Sequence, residues 1–276
     1  MHQKFTLRLG VIPGGLALLL FAVMLQAAQS RPPARTLTVN LRGKAQSIQV
    51  YDPVAGAPKR SLQVLVTSGD LGWLGISGDV PGHLQDQGYR VIGLNAQKYV
   101  SSYTSGGGAH LEENLIPTDY HAIVESASTG SAYPKEFVSV GVSEGAGLAL
   151  VAMGQAQASA LCRGVIALGM PIKTALGWRW TDFTSWISKR EPNEPEVDTK
   201  DYLVRLKVPV VLVHSIHDEY DLIDNVKAVF AAAPEPKRFL AVDASNHRFS
   251  NKTPEVLSLV DDSLEWMATL NRRTNR

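Results

Sequence analysis

FVSVGVSEGAGLAL, Phe137 to Leu150, is the stretch on which the reading of the chain turns. Four of its first six residues are Phe or Val, the composition of a strand buried on both faces, and the stretch turns apolar again after Gly145. Between these lies Gly141-Val142-Ser143-Glu144-Gly145. A Gly-rich connection accounts for the glycines alone. A Gly-x-Ser-x-Gly elbow accounts for the serine too, because the two glycines let the chain turn sharply and lift the Ser143 hydroxyl clear of the sheet edge. The pentapeptide alone is common, so its weight depends on its surroundings.

Working outward, LQVLVTSG (62–69), YRVIGLN (89–95), GVIALGM (164–170), VPVVLVHS (208–215) and RFLAVD (238–243) are short, mostly apolar and rich in β-branched residues. Helix-like stretches separate them, at roughly 76–87, 118–128, 145–157, 221–232 and 254–270. Such alternation predicts right-handed crossovers and a mainly parallel sheet with helices on both faces. Before it, TLTVNL (36–41) and QSIQVY (46–51) alternate apolar and polar residues across Arg42-Gly43-Lys44, which predicts an exposed antiparallel hairpin. Two segments break the rhythm. The Ser/Gly-rich stretch 97–114 reads as a loop. The stretch 171–202 holds Trp178, Trp180 and Trp186 and then an acidic run, and reads as a small lid insertion within one α/β domain spanning 31–276.

A serine hydroxyl needs a base, and the base needs a group to orient it. Asp218 follows VPVVLVHS, and His247 follows RFLAVD. With Ser143 they stand in the order Ser, Asp, His, each past the carboxyl end of a core strand, where open α/β sheets bind ligands. Glu219 and Asp221 are alternatives for the acid, and a loop histidine satisfied by backbone is the alternative for His247. His214, His217 and Asp218 are suitable types for a metal, but His214 falls inside the strand and no further ligand cluster accompanies them. The expected chemistry calls for no metal and no organic cofactor.

Acyl transfer also needs donors for an oxyanion. The backbone N–H of Glu144, the residue after the nucleophile, is one. The other is expected from the turn TSGDLGW (67–73), where Gly69 allows close backbone approach and Asp70 or Leu71 supplies the N–H.

The first thirty residues carry Lys4 and Arg8, an apolar run from Leu16 to Leu25, and small or polar residues at 27–30, the layout of a secretory signal peptide. The apolar run falls short of the roughly 20 residues that span a bilayer. A periplasmic or secreted protein is expected. Loss of the two basic residues moves the formal charge from +1 to −1, which gives no electrostatic reason to hold nucleic acid. Cys162 is the single cysteine, so no internal disulfide is possible.

Over positions 36–276 these residues resemble the α/β-hydrolase superfamily. SGDLGW (68–73), followed by GHLQDQGYRVIGLNAQKY (82–99), is similar to the bacterial VirJ/AcvB group of exported serine hydrolases. Leu71 stands where that group usually has glycine, Val142 and Glu144 where it tends to have aromatic residues, and the loop after Tyr99 lacks the group's second aromatic. The resemblance implies a periplasmic enzyme and, for the AcvB members, hydrolysis of the aminoacyl ester of lysyl-phosphatidylglycerol.

The reading is therefore an ester-cleaving serine hydrolase acting on a small-molecule or lipid ester, in contact with a membrane surface if the substrate is a lipid. A peptidase or amidase would use the same groups. A non-catalytic accessory protein of a secretion system would not need the three side chains together. A cationic acyl group has a candidate partner in Glu191, Glu194, Glu196, Asp198 and Asp201, partly offset by Lys189, Arg190 and Lys200, with the three tryptophans facing acyl chains or an interface; the alternative is a solvated Pro-rich loop with the tryptophans in the core.

Overall fold

The computed structural model describes residues 32–104, 110–178 and 195–274, the last four of these as backbone. The elements run β1 (Arg35–Leu41), β2 (Lys44–Tyr51), β3 (Gln63–Thr67), α1 (Ile76–Asp86), β4 (Arg90–Leu94), α2 (Ala96–Thr104), a 3-10 turn at Glu113–Leu115, α3 (Ile116–Ser128), β5 (Phe137–Val142) and α4 (Glu144–Met153). They continue with β6 (Cys162–Leu168), β7 (Lys173–Ala175), β8 (Glu196–Asp198), α5 (Thr199–Leu203), β9 (Val210–Ser215), α6 (Ile223–Ala231), β10 (Lys237–Val242) and α7 (Thr253–Thr274). Eight strands form one sheet in the order β1-β2-β4-β3-β5-β6-β9-β10. Pairing is antiparallel from β1 to β2 and from β2 to β4, and parallel from there to β10.

Alternation along the strands explains why helices cover both faces. Val210 and Leu212 of β9 pack into the core beneath α2, α3, α4 and α6, whereas Val211 and Val213 pack into the one beneath α1 and α7. A strand with water on neither side must be apolar at consecutive positions, which is why these segments read as continuous runs. Each fully buried Val or Leu contributes about 1.5–3 kcal/mol relative to exposure.

The hairpin differs from expectation in its placement. Its Arg42-Gly43 turn has φ of 50° and 80° as a two-residue connection requires, but β2 joins the main sheet through Ile48–Leu94 to Tyr51–Val91, and the hairpin's inner face is buried. The segment expected as a loop from 97 begins instead with helix α2. Asn95 Oδ1 accepts the Lys98 N–H at 2.9 Å, and Tyr99 and Val100 are buried.

The insertion after β6 is anchored by β7 and β8, which pair antiparallel from Lys173–Asp198 to Ala175–Glu196. Trp180, Trp186, Lys189, Arg190, Glu191 and Glu194 lie outside the described residues, as does the expected signal segment 1–30. Among the described residues no helix is long and apolar enough to cross a membrane.

Candidate active site

Strand β3 is flanked on one side by β4 and on the other by β5, so the sheet order reverses there, the point at whose carboxyl ends open α/β sheets bind ligands. Ser143 stands at this point, between β5 and α4, with φ 53° and ψ −124°. A positive φ at a residue with a side chain costs on the order of 1–3 kcal/mol and persists only where the surroundings enforce it. Here they do: the Ser143 N–H donates to the Leu168 carbonyl at 2.8 Å, and its own carbonyl accepts the Ala146 N–H at 2.7 Å. The flanking glycines are required for another reason. A Cβ at Gly141 would overlap the Gly145 carbonyl, and one at Gly145 would overlap the carbonyls of Thr67 and Ser68.

Ser143 Oγ lies 2.9 Å from His247 Nε2, and His247 Nδ1 lies 2.6 Å from Asp218 Oδ2. Asp218 is 4 % exposed at the end of β9 and is held by its other oxygen, which accepts the N–H groups of Tyr220 (2.9 Å) and Asp221 (3.1 Å). Burial pushes its pKa upward, but the hydrogen bond and charge of His247, with the two backbone donors, outweigh this and hold it below the usual carboxylate range. The other acids left open are engaged elsewhere. Glu219 Oε2 accepts the His247 backbone N–H at 2.7 Å, and Asp221 Oδ2 accepts the Ile172 N–H at 3.0 Å. Ser215 joins the two loops, its hydroxyl donating to the Ala244 carbonyl at 3.1 Å and accepting the His217 N–H at 3.2 Å.

Glu144 opens helix α4, so its N–H has no intrahelical acceptor and sits at the positive end of the helix dipole. Asp70 and Leu71 are the middle of a turn closed by the Gly72 N–H on the Gly69 carbonyl at 3.0 Å. Among the described residues, the N–H groups of Glu144, Asp70 and Leu71 donate to no protein acceptor. Two serines that sequence reasoning missed hold the turn. Ser68 Oγ donates to the Gly69 carbonyl (3.1 Å) and accepts the Ala96 N–H (3.0 Å), and Ser77 Oγ accepts the Gly69 N–H (3.2 Å). Gly69 itself is less constrained than expected, since a Cβ there would meet Ser143 Cβ and the Val142 carbonyl at an ordinary 3.5 Å.

The Glu144 side chain turns inward and accepts the Ala175 N–H at 3.2 Å. Burial, reinforced by the charges of Asp70, Glu196 and Asp221, pushes its pKa up to about 8, against the smaller lowering effect of the Ala175 bond. Tyr220 was also missed. Its ring stands edge-on to His247, 5.1 Å between centroids, and is 60 % exposed.

Trp178 packs against the core, and its backbone exchanges hydrogen bonds with Thr104 Oγ1. Of the acids expected on the insertion, Glu196 pairs with Lys173 at 3.6 Å, and Asp198 caps α5 by accepting the Lys200 N–H at 3.0 Å. Asp201 follows on α5 and is exposed. His217 pairs with Asp243 at 3.2 Å; among the described residues no three His, Cys, Asp or Glu are grouped to hold a metal ion.

An eight-stranded, mostly parallel sheet with a strained serine at the turn after β5 and a histidine and aspartate at the ends of later strands defines the α/β-hydrolase fold. The family model described as "Bacterial virulence protein (VirJ)" matches residues 61–211, and the chain belongs to this family. Among curated proteins none matches it in sequence. Solved structures that it resembles include the esterase domain of a Rhodothermus marinus protein, 20% identical, with 82% of this chain and 95% of that one covered and a TM-score of 0.55. An α/β serine hydrolase homologue from Coxiella burnetii is 15% identical, covered over 85% and 99%, with a TM-score of 0.58. The Pyrococcus furiosus esterase Pf2001 is 16% identical, covered over 85% and 90%, with a TM-score of 0.63. At these identities the likeness is one of fold.

Proposed function

We propose that the protein is an exported serine hydrolase that cleaves a carboxylic ester through a covalent acyl-enzyme. The observation that carries this reading is the unbroken chain from Asp218 Oδ2 through the His247 ring to Ser143 Oγ, with steps of 2.6 and 2.9 Å. Because Asp218 accepts at Nδ1, that nitrogen carries the proton and Nε2 offers its lone pair to the serine hydroxyl. Ser143 Oγ attacks the ester carbonyl while Nε2 takes its proton. The oxyanion is received by the N–H of Glu144 and that of Asp70 or Leu71. Collapse of the intermediate expels the alcohol, which leaves with the proton from Nε2. Water then attacks the acyl-serine with the same base, releases the acid and restores Ser143. Throughout, Asp218 stabilises the imidazolium and fixes the tautomer.

For the substrate, the finer reading is an aminoacyl ester of a phospholipid such as lysyl-phosphatidylglycerol, hydrolysed in the periplasm. Support comes from the VirJ family match and from the likeness of SGDLGW (68–73) and the segment after it to the VirJ/AcvB group. Export rests on Lys4, Arg8 and the apolar run at 16–25.

The test is turnover of lysyl-phosphatidylglycerol, alanyl-phosphatidylglycerol, a neutral short-chain ester and its amide by purified protein and by Ser143→Ala, at two salt concentrations. The proposal expects Ser143-dependent ester cleavage and a lysyl preference that salt weakens. Equal or better turnover of the neutral ester removes the aminoacyl reading. Activity that survives Ser143→Ala removes the hydrolase reading itself.

A further inference from the structure

Asp218 faces a second imidazole that the mechanism above leaves unused. His214, fully buried near the end of β9, has Nε2 2.9 Å from the Asp221 carbonyl oxygen and 3.4 Å from Asp218 Oδ2. A carbonyl accepts only, as does a carboxylate, so Nε2 carries the proton and Nδ1 is left with a bare lone pair. Nδ1 is buried and has no partner among the described residues. A buried polar atom without a partner costs about 1–3 kcal/mol. Val211, Leu212 and Val213 before it are apolar, so packing alone favours an aliphatic or aromatic residue at this position. What histidine adds is one N–H between two oxygens of the turn that carries the acid.

We propose that His214 is a positioning residue for Asp218: its Nε2–H ties down the Asp221 carbonyl and leans on Asp218 Oδ2, keeping the carboxylate aimed at His247 and part of its charge compensated. The inference rests on the serine hydrolase reading of the same site. Oδ1 of Asp218 is fixed by the Tyr220 and Asp221 N–H groups, while Oδ2 faces His247 Nδ1 on one side and His214 Nε2 on the other. The other ionisable groups around this turn are His217, Glu219, Tyr220 and Asp221 on the turn itself, His247 and Arg248 from the loop after β10 and Glu144 from α4. Loss of the His214 N–H leaves the charge on Asp218 less compensated, which favours the protonated form of its other partner, the His247 ring, and leaves Oδ2 less well aimed.

Phe at position 214 fills the space and removes the donor; Gln keeps an N–H at similar reach. His214→Phe should lower kcat about tenfold with KM unchanged and move the acidic limb of the kcat/KM profile upward by about half a pH unit, since loss of a donor to the acid strengthens its pull on the base's proton. His214→Gln should recover most of both. A fall in kcat with the limb unmoved, or full activity in His214→Phe, overturns the proposal. Should that variant not fold, the wild-type protein decides by nitrogen-15 NMR of its imidazoles: His214 must be the Nε2–H tautomer, and an Nδ1–H tautomer overturns the proposal. Wild-type protein without Ser143-dependent esterase activity would remove the hydrolase reading instead, and the tautomer would still decide whether His214 donates to the turn.

Discussion

Gly169 lies against the ring of His247: a Cβ there would stand 3.0 Å from Cε1 and 3.4 Å from Nδ1. Gly169 follows β6 with φ 60°, and its N–H donates to the Val213 carbonyl at 2.9 Å, so the backbone cannot easily retreat. Gly169→Ala should therefore push the imidazole off the line between Asp218 and Ser143. The expected result is a fall in kcat of about tenfold, because the ring must give by a few tenths of an ångström, less than the roughly 1 Å misplacement that costs about a hundredfold. Stability should fall by only about 1 kcal/mol for the positive φ. Esterase kinetics beside thermal melting separates the two effects, and a loss of stability without a loss of rate would contradict the placement.

Ser143 is the converse case, a residue whose backbone is strained for the sake of its side chain. Ser143→Gly should raise the melting temperature, because glycine accepts a φ of 53° without the Cβ penalty, by the equivalent of about 1 kcal/mol. Ser143→Ala, which keeps the Cβ, should leave stability nearly unchanged. Both should lose esterase activity by several orders of magnitude. Melting curves of the two variants side by side provide the check.

Glu144 gives the fold a pH dependence whose sign follows from its raised pKa. A carboxyl at about 8 in the folded chain and near 4.5 when unfolded is ionised more readily in the unfolded state between those values. Its contribution is thus present below about pH 4.5 and is lost progressively as pH rises to about 8. Glu144→Gln, which keeps the acceptor for the Ala175 N–H and cannot ionise, should be more stable than wild type at pH 8, and the difference should vanish near pH 4. Melting temperatures across that range decide it; a difference that grows toward acid pH would contradict it.

Asp218 and Asp221 are three residues apart and do different things. Asp218→Asn should reduce kcat by about ten-thousandfold, because an amide at this position favours the wrong histidine tautomer. Asp221→Asn disturbs the Ile172 N–H at the start of the insertion and should cost far less. Equal losses, read from kcat of the two variants, would show that the acid has been misassigned.

The buried strands, the elbow and the order Ser143, Asp218, His247 were legible in the sequence because each is local: apolar runs mark strands, and the candidate residues sit just past their ends. The stretch 97–114 reads as a loop because Ser101, Ser102 and the Ser/Gly run at 105–108, beyond the end of helix α2, dominate its composition. The signal that marks the helix is Asn95 at the cap, followed by Tyr99 and Val100 on the buried face. Ser68, Ser77, Gly169, His214 and Tyr220 could not be found this way. Each acts through a partner that the fold brings from elsewhere, as Gly169 does with His247 across 78 positions of chain. The acidic run on the insertion was legible only as a charge cluster. Composition does not show what each carboxylate meets: Asp198 caps a helix and Glu196 meets Lys173.

The central claim is that His247 activates Ser143 as a nucleophile. Purified protein treated with a fluorophosphonate probe and mapped by mass spectrometry tests it most directly. The account predicts a single covalent adduct on Ser143, absent in Ser143→Ala and formed far more slowly in His247→Ala. An unlabelled protein, an adduct on another residue, or labelling of Ser143 at an undiminished rate without His247 would contradict it.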